Sequence, residues 1–419
     1  MYNDTNQITV FEHQSLILNE SYNEIRFNED MLKSLQNHYG NDGVKYFSLI
    51  NNGVKFCEYV GVLKVGNTVI EILPKADKNE NKNTWRKNLI GMLQTVGAFN
   101  VLAPTNCDLQ LQANSILDLY FELFIRELEY LLHRGLVKRY RSTEGNCTAL
   151  KGSLQFSKNI QKNLVHKERF YVKYSTYDTN HQLHHVLYKA LKLLNRLNAN
   201  VNLSSRFSSL ILDFPEMKDI AVSEAFFSKI SYDRKTEVYK PAIDIARLLL
   251  LNYHPSLSGG RDDVLALMFD MNMLWEQFVY VSLRKSGRFI SVEAQCSKSF
   301  WKSSNGRNYS SSMKPDIVVD KGTNNCIVLD TKWKNLNGST PSSADLRQMY
   351  AYMMYFDAKK VALVYPAAAN NTLFGEYIID DQNESSIIEL AVVDDGIEKW
   401  QASIVDYISC WINMVIISN

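Results

Sequence analysis

The chain has 419 residues, 46% hydrophobic and 22% charged, with a formal net charge of +1 at pH 7. That length exceeds one ordinary core, so two or three domains are expected, and the near-neutral balance excludes a generally basic nucleic-acid coat. No run of about 18 or more apolar residues occurs, the start MYNDTNQITVFEHQ lacks a secretory pattern, and the six cysteines stand far apart with no CxxC pair; the expectation is a cytoplasmic protein with reduced thiols, without a membrane span, disulfide frame or zinc site.

Residues 1 to about 75 read as β-rich. A strand over 45–50 ends at the turn signal Asn51-Asn52-Gly53, and runs over 58–65 and 68–73 flank Gly66-Asn67 as a hairpin closed by Pro74. A polar stretch over 77–87 leads into a helix expected at 85–96. From about residue 115 the period becomes helical: Leu117, Phe121, Phe124, Leu128, Leu131 and Leu132 share one face, with Gly135 as a stop. Further helices are expected over 181–197 and 241–251. The segment His254-Pro255-Ser256-Leu257-Ser258-Gly259-Gly260 reads as a linker, dividing the chain into a β-rich and then helical half (1–255) and a second domain (256–419).

Beyond the linker a long helix is expected over 263–285, a strand near 289–295 and a Ser/Asn-rich loop over 302–312. The strand opening at Pro315-Asp316 turns at residues 321–325 into the run Cys326 to Trp333. A helix over 342–356, a strand over 360–365 ending in Pro366 and a terminal helix over 405–417 complete an α/β domain, a mixed sheet flanked by helices. The terminal stretch is too short to be a membrane anchor.

The chemistry gathers around Asp330-Thr331-Lys332. Side chains alternate along a strand, so Asp330 and Lys332 share a face about 7 Å apart. Charges at the end of an apolar strand must be paired or used. Asp316 opens the strand expected to hairpin against this one, bringing together two carboxylates that repel unless a cation lies between them. Oxygen ligands open to water suit Mg²⁺, and two carboxylates, a cation and a lysine are a set able to hydrolyse a phosphodiester. Gln348 and Tyr352, four residues apart, share a helix face from which an amide and a hydroxyl can reach a phosphate. Glu276 stands in the apolar run Met273, Leu274, Trp275, Phe278, Val279, so its carboxylate either points to solvent or, as the expectation favours, enters the site as a further metal-side acid. His181 and His185 share a helix face but lack a third ligand, so a zinc site is not expected.

The pattern Pro315-Asp316 and Asp330-Thr331-Lys332, with Gln348 and Tyr352 behind it and Glu276 ahead, resembles the PD-(D/E)xK nuclease superfamily. More narrowly it resembles the McrC-like nuclease subunits of McrBC-type modification-dependent restriction systems. Residues 271–279, 134–140, 150–154, 178–187 and 70–75 carry the resemblance over most of the chain between about 58 and 366. It implies a metal-dependent DNA endonuclease using Mg²⁺, with Mn²⁺ able to substitute, acting on modified DNA in phage defence. It also implies a McrB-like GTP-hydrolysing AAA+ ring, docked through the N-terminal part and stimulated by it. The chain has no GxxxxGK[ST], so it is not the nucleotide-binding subunit by that route. Between Arg126 and Lys173 eleven Lys and Arg face four Glu and no Asp. That excess is either a solvated helical face or a surface for phosphates or an acidic partner, with Arg134, Lys138, Arg139 and Arg141 as the contact candidates. A second reading keeps the nuclease fold as a scaffold only, in an adaptor that activates an AAA+ ring.

Overall fold

A computed structural model describes residues 7–75, 81–96, 116–254, 263–303, 310–336, 340–378, 384–393 and 396–414. The chain forms two compact units, one from Met1–Phe99 with His254–Asn419, the other Asn100–Tyr253.

Among its described residues the first unit contains two large sheets and three small ones of two or three strands. In the N-terminal one, Gln7–Phe11 pairs in parallel with Thr68–Leu73, which hairpins with Tyr59–Val65 through Gly66-Asn67 as the sequence reading expected. Tyr59–Val65 in turn pairs antiparallel with Val264–Asp270. Thr68–Leu73 is buried at every position. Ile8, Val10, Leu63, Ile70, Ile72, Val264 and Ala266 join Phe27, Leu35, Phe47 and Phe56 in one core. Two expectations change here. Residues 263–285 are not one helix: the apolar run Val264–Asp270 is a strand, and the helix Met271–Ser286 starts only where Asp270 caps it by accepting from the amides of Asn272 and Met273. The same pairing groups residues 1–99 with the C-terminal segment, where the sequence reading had joined them to 100–253. The boundary between the units at 253/254 falls at the start of the expected linker, whose residues from 255 on lie outside the described ones.

The second sheet is mixed and has six strands, in the order Val292–Ala294, Ile317–Val319, Ile327–Thr331, Lys360–Ala367, Glu384–Ala391, Asn371–Glu376. Ile317–Val319 runs antiparallel to Ile327–Thr331, which is parallel to Lys360–Ala367. The helix Ser343–Phe356 packs Met349, Tyr352 and Met353 against Val318, Val328, Val361 and Leu363, alternate residues of three neighbouring strands. Helices Met271–Ser286 and Ile397–Asn413 meet through Trp275, Phe278 and Trp400. This is the α/β arrangement expected of the C-terminal segment. The terminal helix begins earlier than expected, and residues 415–417 of that expectation lie outside the described ones. The Ser/Asn-rich stretch is not simply a loop: Lys298–Lys302 and Ser310–Met313 pair antiparallel.

In the second unit the helices Ile116–Arg134, Gln182–Leu197, Val201–Asp213 and Lys240–Leu251 pack together. Gly135 follows the first with φ +87°, a conformation that favours glycine and stops the helix. The expectation of a largely helical segment fails for its basic part. Arg139–Cys147 and Phe170–Asp178 form an antiparallel pair, with Ser153–Leu154 on the far side of the latter. Most positions of both long strands remain at least partly exposed. A sheet open to water on both faces carries no apolar alternation, which is the signal a sequence offers. No described helix is long and apolar enough to cross a membrane.

Candidate active site

The site lies at the C-terminal end of Ile327–Thr331. The register pairs Ile317 with Leu329, so one further step sets Asp316 opposite Asp330, with Cβ atoms about 5 Å apart in such pairs. Asp316 is held in place by Thr331, whose backbone amide and hydroxyl both donate to its Oδ2 at 2.7 and 2.9 Å. Its own carbonyl accepts from the amide of Gln295 at 2.8 Å. Asp330 is 1% exposed. Burial and then the charge of Asp316 push its carboxyl up to about 6.

Lys332 follows on the same face, its Nζ 2.6 Å from Asp330 Oδ2. The contact is a close, charge-assisted ion pair that partners the buried Asp330 Oδ2. Burial works against the Lys332 ammonium, but Asp330, Asp316 and Asp345 outweigh it and hold its pKa above the usual lysine range. Its backbone amide donates to Val364 O at 2.9 Å, and the indole of Trp275 shares that acceptor at 3.4 Å, tying the strand end to the helix that bears Glu276.

Glu276 is buried, and Gln295 Nε2 donates to its Oε1 at 2.9 Å. Burial, then Asp316, raises it to about 7, with Asp330 adding to the effect. Three acids therefore lie within electrostatic reach of one another. Among the described residues, however, no three His, Cys, Asp or Glu side chains gather closely enough to hold a metal ion. The expected three-carboxylate ligand set is thus not assembled. Asp316 and Asp330 remain neighbouring carboxylates whose oxygen donors fit one cation, because the charge of Asp316 opposes that of Asp330. Glu276 is engaged by Gln295.

Gln348 and Tyr352 do share a face, but they turn to each other: Gln348 Nε2 donates to the Tyr352 hydroxyl at 2.7 Å. That hydroxyl donates to Lys314 O at 3.2 Å. Tyr352 therefore holds the backbone just ahead of Pro315-Asp316. Thr331, Gln295 and Asn272, which accepts from the Trp333 amide at 3.2 Å, escaped sequence reading. Only Thr331, lying between Asp330 and Lys332, offered any signal, and nothing local shows that it serves Asp316.

In the other unit, Arg139 pairs with Asp233, Arg141 with Asp178, and Arg134 donates to the Tyr130 hydroxyl. Lys138 is exposed, and no ion pair of it occurs among the described residues. Histidines 181 and 185 are occupied structurally: His181 caps the helix Gln182–Leu197, and His185 contacts Asn180 and Lys218 O.

Residues 54–366, a span that includes all six candidate site residues, match the family described as McrBC 5-methylcytosine restriction system component. A chain from the refined half-complex of a tetradecameric assembly of Thermococcus gammatolerans McrB AAA+ hexamers with bound McrC is similar in fold, with TM-score 0.71 and 20% identity. The match covers 97% of this chain and 100% of that one. A chain from the cryo-EM structure of the Thermococcus gammatolerans McrBC complex is 19% identical over 67% of this chain and 87% of that one, with TM-score 0.49. No curated protein matches.

Proposed function

The chain belongs to the McrBC restriction-system family, and from that premise we propose that it is the DNA-cleaving subunit, a PD-(D/E)xK-type, Mg²⁺-dependent endodeoxyribonuclease. The observation that carries this reading is Asp316 facing Asp330 across two paired strands, with Lys332 beside Asp330. A scaffold has no use for such a cluster, since burial and the neighbouring Asp316 charge disfavour the ionised Asp330 and cost stability.

Asp316 and Asp330 would hold Mg²⁺, or Mn²⁺ in its place, which when bound supplies Lewis-acid polarisation of the phosphoryl oxygen. Thr331 fixes the Asp316 carboxylate so that it need not reorganise. Lys332 orients a water against phosphorus and stabilises the negative charge gathering on the phosphate as the water oxygen bonds and the leaving oxygen departs. Glu276, with its carboxyl near 7, can take or return a proton close to neutral pH. Tyr352 keeps the segment before Asp316 in place.

The solved assembly with a similar chain contains McrB AAA+ hexamers with bound McrC. We extend that to this chain: a GTP-hydrolysing AAA+ ring is its partner, modified DNA its substrate, and stimulation of the ring's GTPase a second duty. A net charge of +1 supports dependence on that ring, because autonomous DNA affinity rests on phosphate neutralisation. The test compares cleavage of methylated duplex by this chain alone, by the ring with GTP, and by both, for the parent and Asp330→Ala. Mg²⁺-dependent cutting by the parent with the ring, lost in the variant, is expected. Equal cutting by Asp330→Ala sinks the nuclease reading, leaving the adaptor; equal cutting without the ring removes the dependence.

A further inference from the structure

Two buried tyrosines belong to the core between the helix Ser343–Phe356 and the mixed sheet. The hydroxyl of Tyr352 is engaged by Gln348 and Lys314 O. Tyr365 is 1% exposed, and its hydroxyl makes no hydrogen bond among the described residues. It shares this core with Val361, Leu363, Met349 and Met353. Phenylalanine would fill the same space and leave no polar atom to desolvate. A buried hydroxyl without a partner calls for a cause, and a ligand that completes it is one.

The position of Tyr365 points to that ligand. Lys360–Ala367 runs parallel to Ile327–Thr331, with Asp330 opposite Leu363 and Thr331 opposite Val364. The Lys332 amide donates to Val364 O at 2.9 Å, so the ladder continues one step and sets Tyr365 opposite Lys332. Paired residues share a face of the sheet. Tyr365 therefore stands on the face that bears Asp330 and Lys332, at the C-terminal ends of two parallel strands, where α/β sheets receive their ligands.

Burial, then Asp345 and Asp330, holds the Tyr365 hydroxyl well above the usual tyrosine range. Asp345 also acts on Asp330 and Lys332. It lies in the first turn of Ser343–Phe356, where Ser342 caps the helix by accepting from its amide at 3.1 Å. The positive end of that helix dipole thus lies at the same group of residues. The phenolic proton is committed to neither carboxylate and is available to an acceptor that enters the site.

We propose that Tyr365 is a further catalytic residue, its hydroxyl donating a hydrogen bond to a non-bridging oxygen of the scissile phosphate beside Lys332. The inference rests on the nuclease reading and names a phosphate-contacting group for it. Asp316, Asp330 and Asp345 repel a phosphate, so a neutral donor stabilises the charge gathering there without adding another charge to bury. The hydroxyl keeps its proton throughout, and no bond to it forms or breaks.

The experiment measures Mg²⁺-dependent cleavage of methylated duplex by the full chain with the ring and GTP, for the parent, Tyr365→Phe and Asp330→Ala. Tyr365→Phe is expected to lower kcat about 10-fold or more. Its KM for DNA should stay within about 3-fold of the parent's. Its melting temperature should stay level or rise, because an unpaired hydroxyl leaves the core. Placing 4-aminophenylalanine at position 365 restores a donor and is expected to recover most of the lost rate, which a purely structural role for the ring would not explain. A kcat for Tyr365→Phe equal to the parent's overturns the proposal. So does a fall in kcat that comes with a lower melting temperature and no recovery by the amino analogue. Failure of the nuclease reading shows separately, as cutting by Asp330→Ala equal to that of the parent.

Discussion

The indole Nε1–H of Trp333 donates to Glu12 Oε1 at 2.7 Å, joining residues 321 positions apart. The same oxygen accepts from the Lys75 amide at 2.8 Å. Trp333 directly follows Lys332, and its ring is wedged edge-on against Trp85 and Trp275. The end of the strand bearing Asp330 and Lys332 is therefore fastened to the N-terminal sheet, and one compact unit holds both.

Glu12 should make stability fall with pH. Burial raises its carboxyl from 4.5 to about 7, and Oε2 has no partner. Between those values the folded protein holds a proton that the unfolded chain releases. The contribution is therefore fully present below about pH 4.5 and is lost as pH rises through about 7, on the order of 3 kcal/mol in all. Glu12→Gln keeps an acceptor for Trp333 and Lys75 and removes the charge. Denaturant unfolding at pH 5 and pH 8 is expected to show a smaller pH-dependent loss for the variant than for the parent. Because Glu276 and Asp330 tilt the parent in the same direction, the difference between the two proteins is the measured quantity.

Asp330→Asn should separate activity from stability. It removes a buried charge that Asp316 opposes, so the melting temperature is expected to stay level or rise. Mg²⁺-dependent cleavage with the ring partner should fall at least about 100-fold. A fall in both together would mean that Asp330 serves the fold rather than the reaction.

Gly61→Ala should destabilise the N-terminal sheet by more than about 2 kcal/mol. Gly61 has φ +138°, and a Cβ there would stand 2.1 Å from Leu267 O, a backbone atom in the neighbouring strand that cannot rotate away. Chemical denaturation reads the loss directly; a cost below about 0.5 kcal/mol would refute the close approach of the two strands.

Reversing charge on the basic sheet should act on the partnership and spare the fold. Lys138→Glu leaves no ion pair broken among the described residues, whereas Arg139→Glu and Arg141→Glu each set a carboxylate against Asp233 or Asp178. Those pairs are solvent-exposed and screened by water, so their loss has little effect on the fold. The triple variant is expected to melt within a few degrees of the parent and to lose ring-stimulated cleavage. Unaltered stimulation would remove this surface from the interface.

The sequence by itself determined the elements with strong periodicity and the residues around which chemistry could gather. Ile327-Val328-Leu329 ahead of Asp330-Thr331-Lys332 declares a buried strand ending in charge. Gly66-Asn67 declares a hairpin, and the leucine stripe of Gln182–Leu197 a helix. These are statements about burial and turn geometry within one short segment, and local residue order carries them. It was silent where pairing decides. Val264–Asp270 is apolar enough for helix or strand and became a strand because Tyr59–Val65 offered a ladder. Arg139–Cys147, wet on both faces, left no apolar alternation to read. Tertiary structure alone assigned Thr331 to Asp316, turned Tyr352 toward Lys314 and brought Glu12 to Trp333. The physical reason is that a hydrogen bond across a sheet or between sheets depends on which faces pack together, and packing is a property of the whole core that no single segment encodes.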